Sequence, residues 1–332
     1  MTRILAVLLV ILLPQPLFAQ CKGRDLLADL PEAEVAALRV AAARQPFHQG
    51  LLWRAERGGQ VVHLFGTLHI YAPRHENLID QIEPLIARAE TVFLEIAPGD
   101  DKLLQAKIAD TPGIAFIVDG PTLPELLSEQ EWRQLRRIMA ERGVPGFLAA
   151  KMRPWMAIST LAVARCALED IQNGRFGLDQ MVMARATELG KTPVALEPFD
   201  TLFAIFDSFT EAEQLDFLRL GIAQQVEDAD AQMVTLVESY YRGEARLVWE
   251  WSFAQAQAIA GLPDDIWRKQ TARTEEALVN RRNRNWMKRI LPAAEKGEVL
   301  VAVGALHLPG NQGLLSLLQD QGFTITRVPR AD

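Results

Sequence analysis

The sequence predicts an α/β fold: a central mixed β-sheet with flanking helices and a long helical insertion. Short apolar runs bounded by turn signals lie towards both ends of the chain, at residues 60–65 and 299–303, and helical spacing dominates between them. Two of these runs end on the same device, Gly66-Thr67-Leu68-His69 and Gly304-Ala305-Leu306-His307, so each delivers a histidine at the carboxyl end of a strand. Open α/β sheets place their ligands there, because the strand fixes position while the following loop leaves the side chain exposed. The repeated device predicts one site assembled from both halves of the chain.

Residues 1–19 read as an export signal, with positive Arg3, an apolar stretch over 4–13, the breakers Pro14 and Pro16, and a small residue, Ala19, at the expected cut. The stretch is too short to span a bilayer, and no later segment is apolar for long enough to do so. Lipidation at Cys21 is the less favoured reading, since Gln20 stands where that processing wants a small residue. Residues 20–332 then read as a single periplasmic domain, with helical insertion over about 100–190 and 199–296.

Helical spacing follows Pro31 up to Arg44. Strands at 51–56 and 60–65 are joined through Arg57-Gly58-Gly59, a hairpin signal. A helix over 77–89 sets Leu78, Ile82, Leu85 and Ile86 on one face, and a strand at 91–94 ends at Glu95. Ser128 with Glu131 forms a capping box for a helix ending near Gly143, and Pro154 opens another that carries Cys166. Gly177-Leu178-Asp179 starts a helix reaching Leu189-Gly190, and residues 191–197 read as a third core strand ending on Glu197. Thr210 and Glu213 form a second capping box, and helices continue to Lys296. The strand at 299–303, a helix over 310–321 and a strand at 324–328 complete the chain.

With 49% hydrophobic residues in 332, the chain has ample material for a core, which excludes a disordered class. A net charge of -7 without a basic block excludes a nucleic-acid binder, and Arg281-Arg282-Asn283-Arg284 is too short to change that. Two cysteines, Cys21 and Cys166, in an exported protein predict a disulfide that pins the mature amino terminus to the middle of the chain. A bridge closing so long a loop contributes ~2 to 4 kcal/mol.

His69, Glu95, Glu197 and His307 each sit where an apolar strand runs out. Two imidazoles and one or two carboxylates at one sheet edge suit a divalent Zn, Mn or Co ion, with an open position at which water is activated. General acid and base work by a His and Glu pair is the metal-free alternative. Glu95 and Glu197 read equally well as helix caps or ion-pair partners. His48, His63 and His75 lack the strand-end placement, and His63 lies inside a strand.

Several motifs occur in order over about residues 21–328: Gly66-Thr67-Leu68-His69, Phe93-Leu94-Glu95, Lys151-Met152-Arg153-Pro154-Trp155, Gly177-Leu178-Asp179, Leu196-Glu197, and Arg282-Asn283 with Trp286. The run closes with 303–310, Gly313-Leu314 and Gly322-Phe323. Together they resemble the TraB/GumN family, part of a wider group with the Tiki metalloproteases, the pheromone-shutdown protein PrgY, erythromycin-esterase-like enzymes and the haem-binding lipoprotein ChaN. The resemblance implies a sheet whose two His-bearing loops meet at one cleft, and Mn- or Co-dependent peptide cleavage with His69, Glu95 and His307 as the metal set. It implies that Arg282 holds a substrate carboxylate or stabilises an oxyanion. Asp179 would orient a ligand histidine, with a helix N-terminal role as the alternative. Relatives often continue from Leu-Glu with a Thr; Pro198-Phe199-Asp200 departs from that pattern at Glu197. The expected function is a metal-dependent periplasmic hydrolase acting on a peptide or small molecule. The rival expectation is a non-catalytic envelope protein that captures a peptide or haem in the same cleft. The GumN name alone suggests a third, an ancillary role in polysaccharide production.

Overall fold

The computed structural model describes residues 21, 23–224 and 229–329, so the export signal over 1–19 lies outside the described residues. Strands β1 (Leu52–Arg57) and β2 (Gln60–Thr67) form the expected hairpin, turned by Gly58 and Gly59 at φ 54° and 86°. Positive φ at both turn residues is what a two-residue hairpin with right-twisted strands requires, and glycine adopts it without strain. The remaining strands are β3 (Thr91–Leu94), β4 (Val194–Ala195), β5 (Val299–Gly304) and β6 (Thr324–Val328).

They form one mixed sheet in the order β4-β3-β5-β2-β1-β6. β2, β5, β3 and β4 are parallel, and β1 runs against both of its neighbours. The strand from the far end of the chain, β5, inserts between β2 and β3. Its register sets Gly304 opposite Thr67, and Ala302 opposite Leu94. The carboxyl ends of four parallel strands therefore share one edge.

Alternation along β5 shows why it is apolar throughout. Val299, Val301 and Val303 face Trp286 and Ile290 of the helix Arg281–Ala294. Leu300 and Ala302 face the other layer, with Ile79, Ile82 and Ile86 of His75–Arg88 and Val182 of Leu178–Glu188. A strand covered on both faces reads as a continuous hydrophobic run, and each large aliphatic side chain so buried contributes about 1.5 to 3 kcal/mol. A separate apolar cluster, with Leu123, Leu135, Met139, Leu161, Leu218 and Ile222, lies among helices that the chain inserts after β3 and after β4. Both capping boxes form: Ser128 and Thr210 exchange hydrogen bonds with Glu131 and Glu213.

Three elements differ from expectation. The helix opened by Pro154 ends at Leu161, and Cys166 lies on the next helix, Arg165–Gln172. The Arg142 guanidinium donates to the carbonyls of Leu161 and Val163, which the break frees. The strand expected over 191–197 contracts to the two residues of β4, because at the sheet edge it has only the four-residue β3 to pair with. The helix expected from Gly310 begins at Leu314: Gly310 has φ 100°, outside the right-handed helical region, and closes a turn onto Gly313 instead. The disulfide forms as expected, joining Cys21 to Cys166 with Cα atoms 5.0 Å apart. No helix among the described residues is long and apolar enough to cross a membrane.

Candidate functional site at the carboxyl edge of the sheet

The four parallel strands deliver His69, Glu95, Glu197 and His307 to this edge, His307 through the short 3-10 turn Ala305–His307 that follows β5. Two helices complete the group. Leu178–Glu188 begins with Asp179, and Arg281–Ala294 carries Arg282, Asn283 and Trp286. Hydrogen bonds and close polar approaches link all six residues expected at the site: His69, Glu95, Asp179, Glu197, Arg282 and His307. Close backbone packing fixes the first loop: Leu178 N donates to Leu68 O at 2.9 Å, and a Cβ on Gly177 would lie 2.2 Å from the His69 carbonyl carbon. Only glycine fits there.

Arg282 is the hub. A guanidinium has five N–H donors, and here every one has an acceptor. Nε donates to both Glu197 oxygens at 3.1 and 3.0 Å, and Nη2 to Glu197 Oε1 and Glu95 Oε2, each at 2.6 Å. Nη1 donates to the Leu278 carbonyl at 3.0 Å and to His307 Nε2 at 3.1 Å. Leu278 belongs to a π-helical segment, Glu276–Asn280, which leads into Arg281–Ala294. Trp286 Nε1 donates to Glu197 Oε2 at 2.9 Å and its ring lies under the guanidinium, 4.8 Å from Cζ. Glu197 is thus occupied in holding Arg282. Burial works against the Arg282 charge, but Glu95 and Glu197 outweigh it and raise the guanidinium above its ordinary range.

The two histidines are held from behind by different groups. His69 Nδ1 donates to Asp179 Oδ2 at 2.6 Å, and Asp179 Oδ1 accepts from the Thr67 hydroxyl at 2.5 Å. His307 Nδ1 donates to Asn283 Oδ1 at 2.7 Å, while Asn283 Nδ2 donates to the carbonyls of His307 and Gln312, which fixes the amide orientation. Both rings therefore direct Nε2 at one atom, Glu95 Oε1, each from 3.9 Å. Asp179 raises His69 to about 9, against the opposing effect of its surroundings, although 64% of the side chain surface meets solvent that screens the pair. Burial lowers His307 to about 3, so it is neutral. Burial opposes ionisation of Glu95, yet the Arg282 guanidinium, the His69 imidazolium and the Gly304 amide hold its carboxyl well below the usual range. The Gly304 N–H donates to Glu95 Oε1 at 2.8 Å.

Anchoring Nδ1 so that Nε2 faces inward is how metal-binding imidazoles are oriented. In this arrangement, however, the cation at His307 Nε2 and Glu95 is Arg282 itself. Among the described residues no three His, Cys, Asp or Glu side chains are disposed as a metal-binding group. The expected set of His69, Glu95 and His307 does not fit an ion unless Arg282 withdraws from His307. In this arrangement every Arg282 donor already has an acceptor, on Glu95, Glu197, His307 or the Leu278 carbonyl.

Sequence reasoning missed Thr67, Asn283 and Trp286 as members of the network. The first stands inside the Gly-x-x-His motif and the other two beside Arg282, so adjacency to a motif was the available signal. His75, set aside in the sequence, is fully buried and supports the first loop: Nε2 donates to Ile70 O at 2.8 Å, and Nδ1 accepts from Tyr241.

Comparison with known proteins agrees with these motifs. The profile of the TraB/PrgY/gumN family matches residues 51–327. The chain is 23% identical over 283 residues to a protein described as uncharacterized protein YbaP from Shigella flexneri, covering 81% of this chain and 97% of that one. The YbaP of Escherichia coli strain K12 matches with the same identity and coverage. From β1 to β6, across every strand that supplies the site, the chain belongs to the TraB/PrgY/gumN family.

Proposed function

We propose that this edge is a hydrolytic cleft, acting on an amide bond of a peptide, in which His69 moves the proton. The observation that carries the reading is that His69 is exposed, is backed by Asp179 and Thr67, and has Nε2 uncommitted beside Glu95. His69, raised to about 9, is protonated near neutral pH; its neutral form, which gains population as pH rises towards 9, accepts a proton from the attacking water and returns it to the leaving amine. Glu95, fixed by Arg282 and the Gly304 amide, keeps a negative charge beside the imidazolium formed between those steps. Arg282, Glu197, Asn283 and His307 act as positioning residues. The disulfide and the apolar leader favour export to the periplasm.

A second reading has a divalent Mn, Co or Zn ion held by His69, Glu95 and His307. The shared direction of the two Nε2 atoms favours it, and the Arg282 to His307 hydrogen bond opposes it. Untagged protein exported to the periplasm separates these. Mass spectrometry of a peptide library should show cleavage by wild type and a loss of at least ~100-fold in His69→Ala, the scale of a positioned acid-base group. Wild type that cleaves nothing, or an equally active His69→Ala, overturns the hydrolase. Stoichiometric metal that departs in both His69→Ala and His307→Ala establishes the ion. A Soret band on haem titration that His69→Ala alone removes, without cleavage, assigns the cleft to ligand capture instead.

A further inference from the structure

The helix Arg281–Ala294 carries five cations and no carboxylate. Arg282 is committed to Glu95 and Glu197, and Arg284 to Glu276. Arg281, Lys288 and Arg289 are exposed, and among the described residues none has a carboxylate within ion-pair distance; Lys288 Nζ donates to Asn285 Oδ1 at 3.0 Å. The chain has 42 acidic residues against 35 basic ones, so three unanswered cations together reverse the local sign. They share one helix face, spaced i, i+7 and i+8.

That face borders a half-open pocket. With Asn285 the three cations line one wall of a pocket of about 500 Å³, which Ala204, Ile205 and Ala277 line with apolar surface. Glu197 and Arg282 also line it, but both Glu197 oxygens already accept from Arg282 and Trp286, so this carboxylate does not answer the free cations. The volume suits a small organic ligand. Guanidinium groups recognise carboxylate and phosphate through paired N–H donors, an arrangement an ammonium point charge does not copy.

We infer that this pocket binds an organic anion, with a carboxylate or phosphate held by Arg281 and Arg289 and an apolar portion against Ala204 and Ile205. Lys288 adds charge at the rim. The inference does not rest on hydrolysis at His69, and its test reads binding alone. Titration calorimetry at low salt compares octyl phosphate, octanoate, octyltrimethylammonium and 1-octanol on the oxidised mature protein. At least one anion should bind saturably at one site, at least tenfold more tightly than the cation or the alcohol, and more weakly as salt rises. A preference between the two anions tells phosphate from carboxylate ligands. Arg281→Gln with Arg289→Gln should weaken the anion at least tenfold with an unchanged melting temperature. Ala204→Phe should weaken it by filling the apolar wall while leaving every charge in place. The inference is overturned by equal binding of octyltrimethylammonium, by no saturable binding of either anion, or by unchanged affinity in the double variant.

Discussion

The two Gly-x-x-His loops start from one motif and end in opposite electrostatic states. His69 is open to solvent with a carboxylate on Nδ1, and rises to about 9; His307 is buried with an amide on Nδ1, and falls to about 3. Both direct Nε2 at the same carboxylate oxygen from the same distance. Equal placement with unequal surroundings makes one ring a cation near neutral pH and the other a fixed neutral acceptor for Arg282. What a motif delivers is position; the carboxylate behind His69 and the burial of His307 decide their charges.

Removing the cation that separates the two loops breaks this comparison most severely. Arg282→Ala leaves Glu95 and Glu197, both largely buried, without their ion-pair partner, and losing one member of such a group costs about 3 to 5 kcal/mol. Denaturant unfolding should register that loss. Arg282→Lys should recover only part of it, since an ammonium does not supply the five donors in use. Wild-type stability in Arg282→Ala would show that the carboxylates are satisfied some other way.

Exchanging the groups behind the rings tests the comparison at its source. Asp179→Asn should lower His69 from about 9 towards its ordinary 6.5, and Asn283→Asp should raise His307 from about 3, both read by NMR titration of five histidines. The same shifts set the pH dependence of stability. A raised His69 stabilises the fold fully below 6.5, and that contribution is lost as pH rises through about 9. A lowered His307 has the opposite sign: as pH falls from 6.5 towards 3 the unfolded chain takes up a proton that the fold refuses, and stability drops. Glu95, depressed, adds to that acid loss as pH falls through its folded value. Asp179→Asn should therefore flatten the alkaline flank and leave the acid flank in place. The alkaline flank is the shallower, because solvent screens His69. Identical flanks in wild type and Asp179→Asn would remove the assignment.

Strand ends were the legible part of this molecule. Residues 91–94 and 324–328 are strands as the local pattern required, and the polar residue after each parallel strand reaches the expected edge. That the two histidines meet depends on β5 entering between β2 and β3, a pairing over more than 200 residues of chain that no local window contains; only the repeated motif hinted at it. The Arg282 network was illegible for the same reason, since its carboxylates lie 85 and 187 residues away. Hydrophobic periodicity reports which face of an element is buried and is silent on where a polar side chain spends its donors. The helix break after Leu161 and the π segment at Glu276–Asn280 carry no proline or glycine to announce them.

The smallest change sharpens the comparison from within the cleft. Gly304 has φ -47° and ψ 132°, a conformation open to any residue, so Gly304→Ala incurs no backbone strain. Its Cβ would lie 3.1 Å from His69 Nε2 and 3.3 Å from Glu95 Oε1, displacing the exposed ring by a few tenths of an ångström while the buried His307 keeps its place. Stability should change by less than about 1 kcal/mol, with any gain arising from the less flexible unfolded chain. His69, moved away from Glu95, should titrate slightly lower, and any activity that depends on its Nε2 should fall several-fold. His307 should not move in the same titration. A shift in both rings would mean that the two loops respond as one body and that their separate anchoring is not what sets them apart.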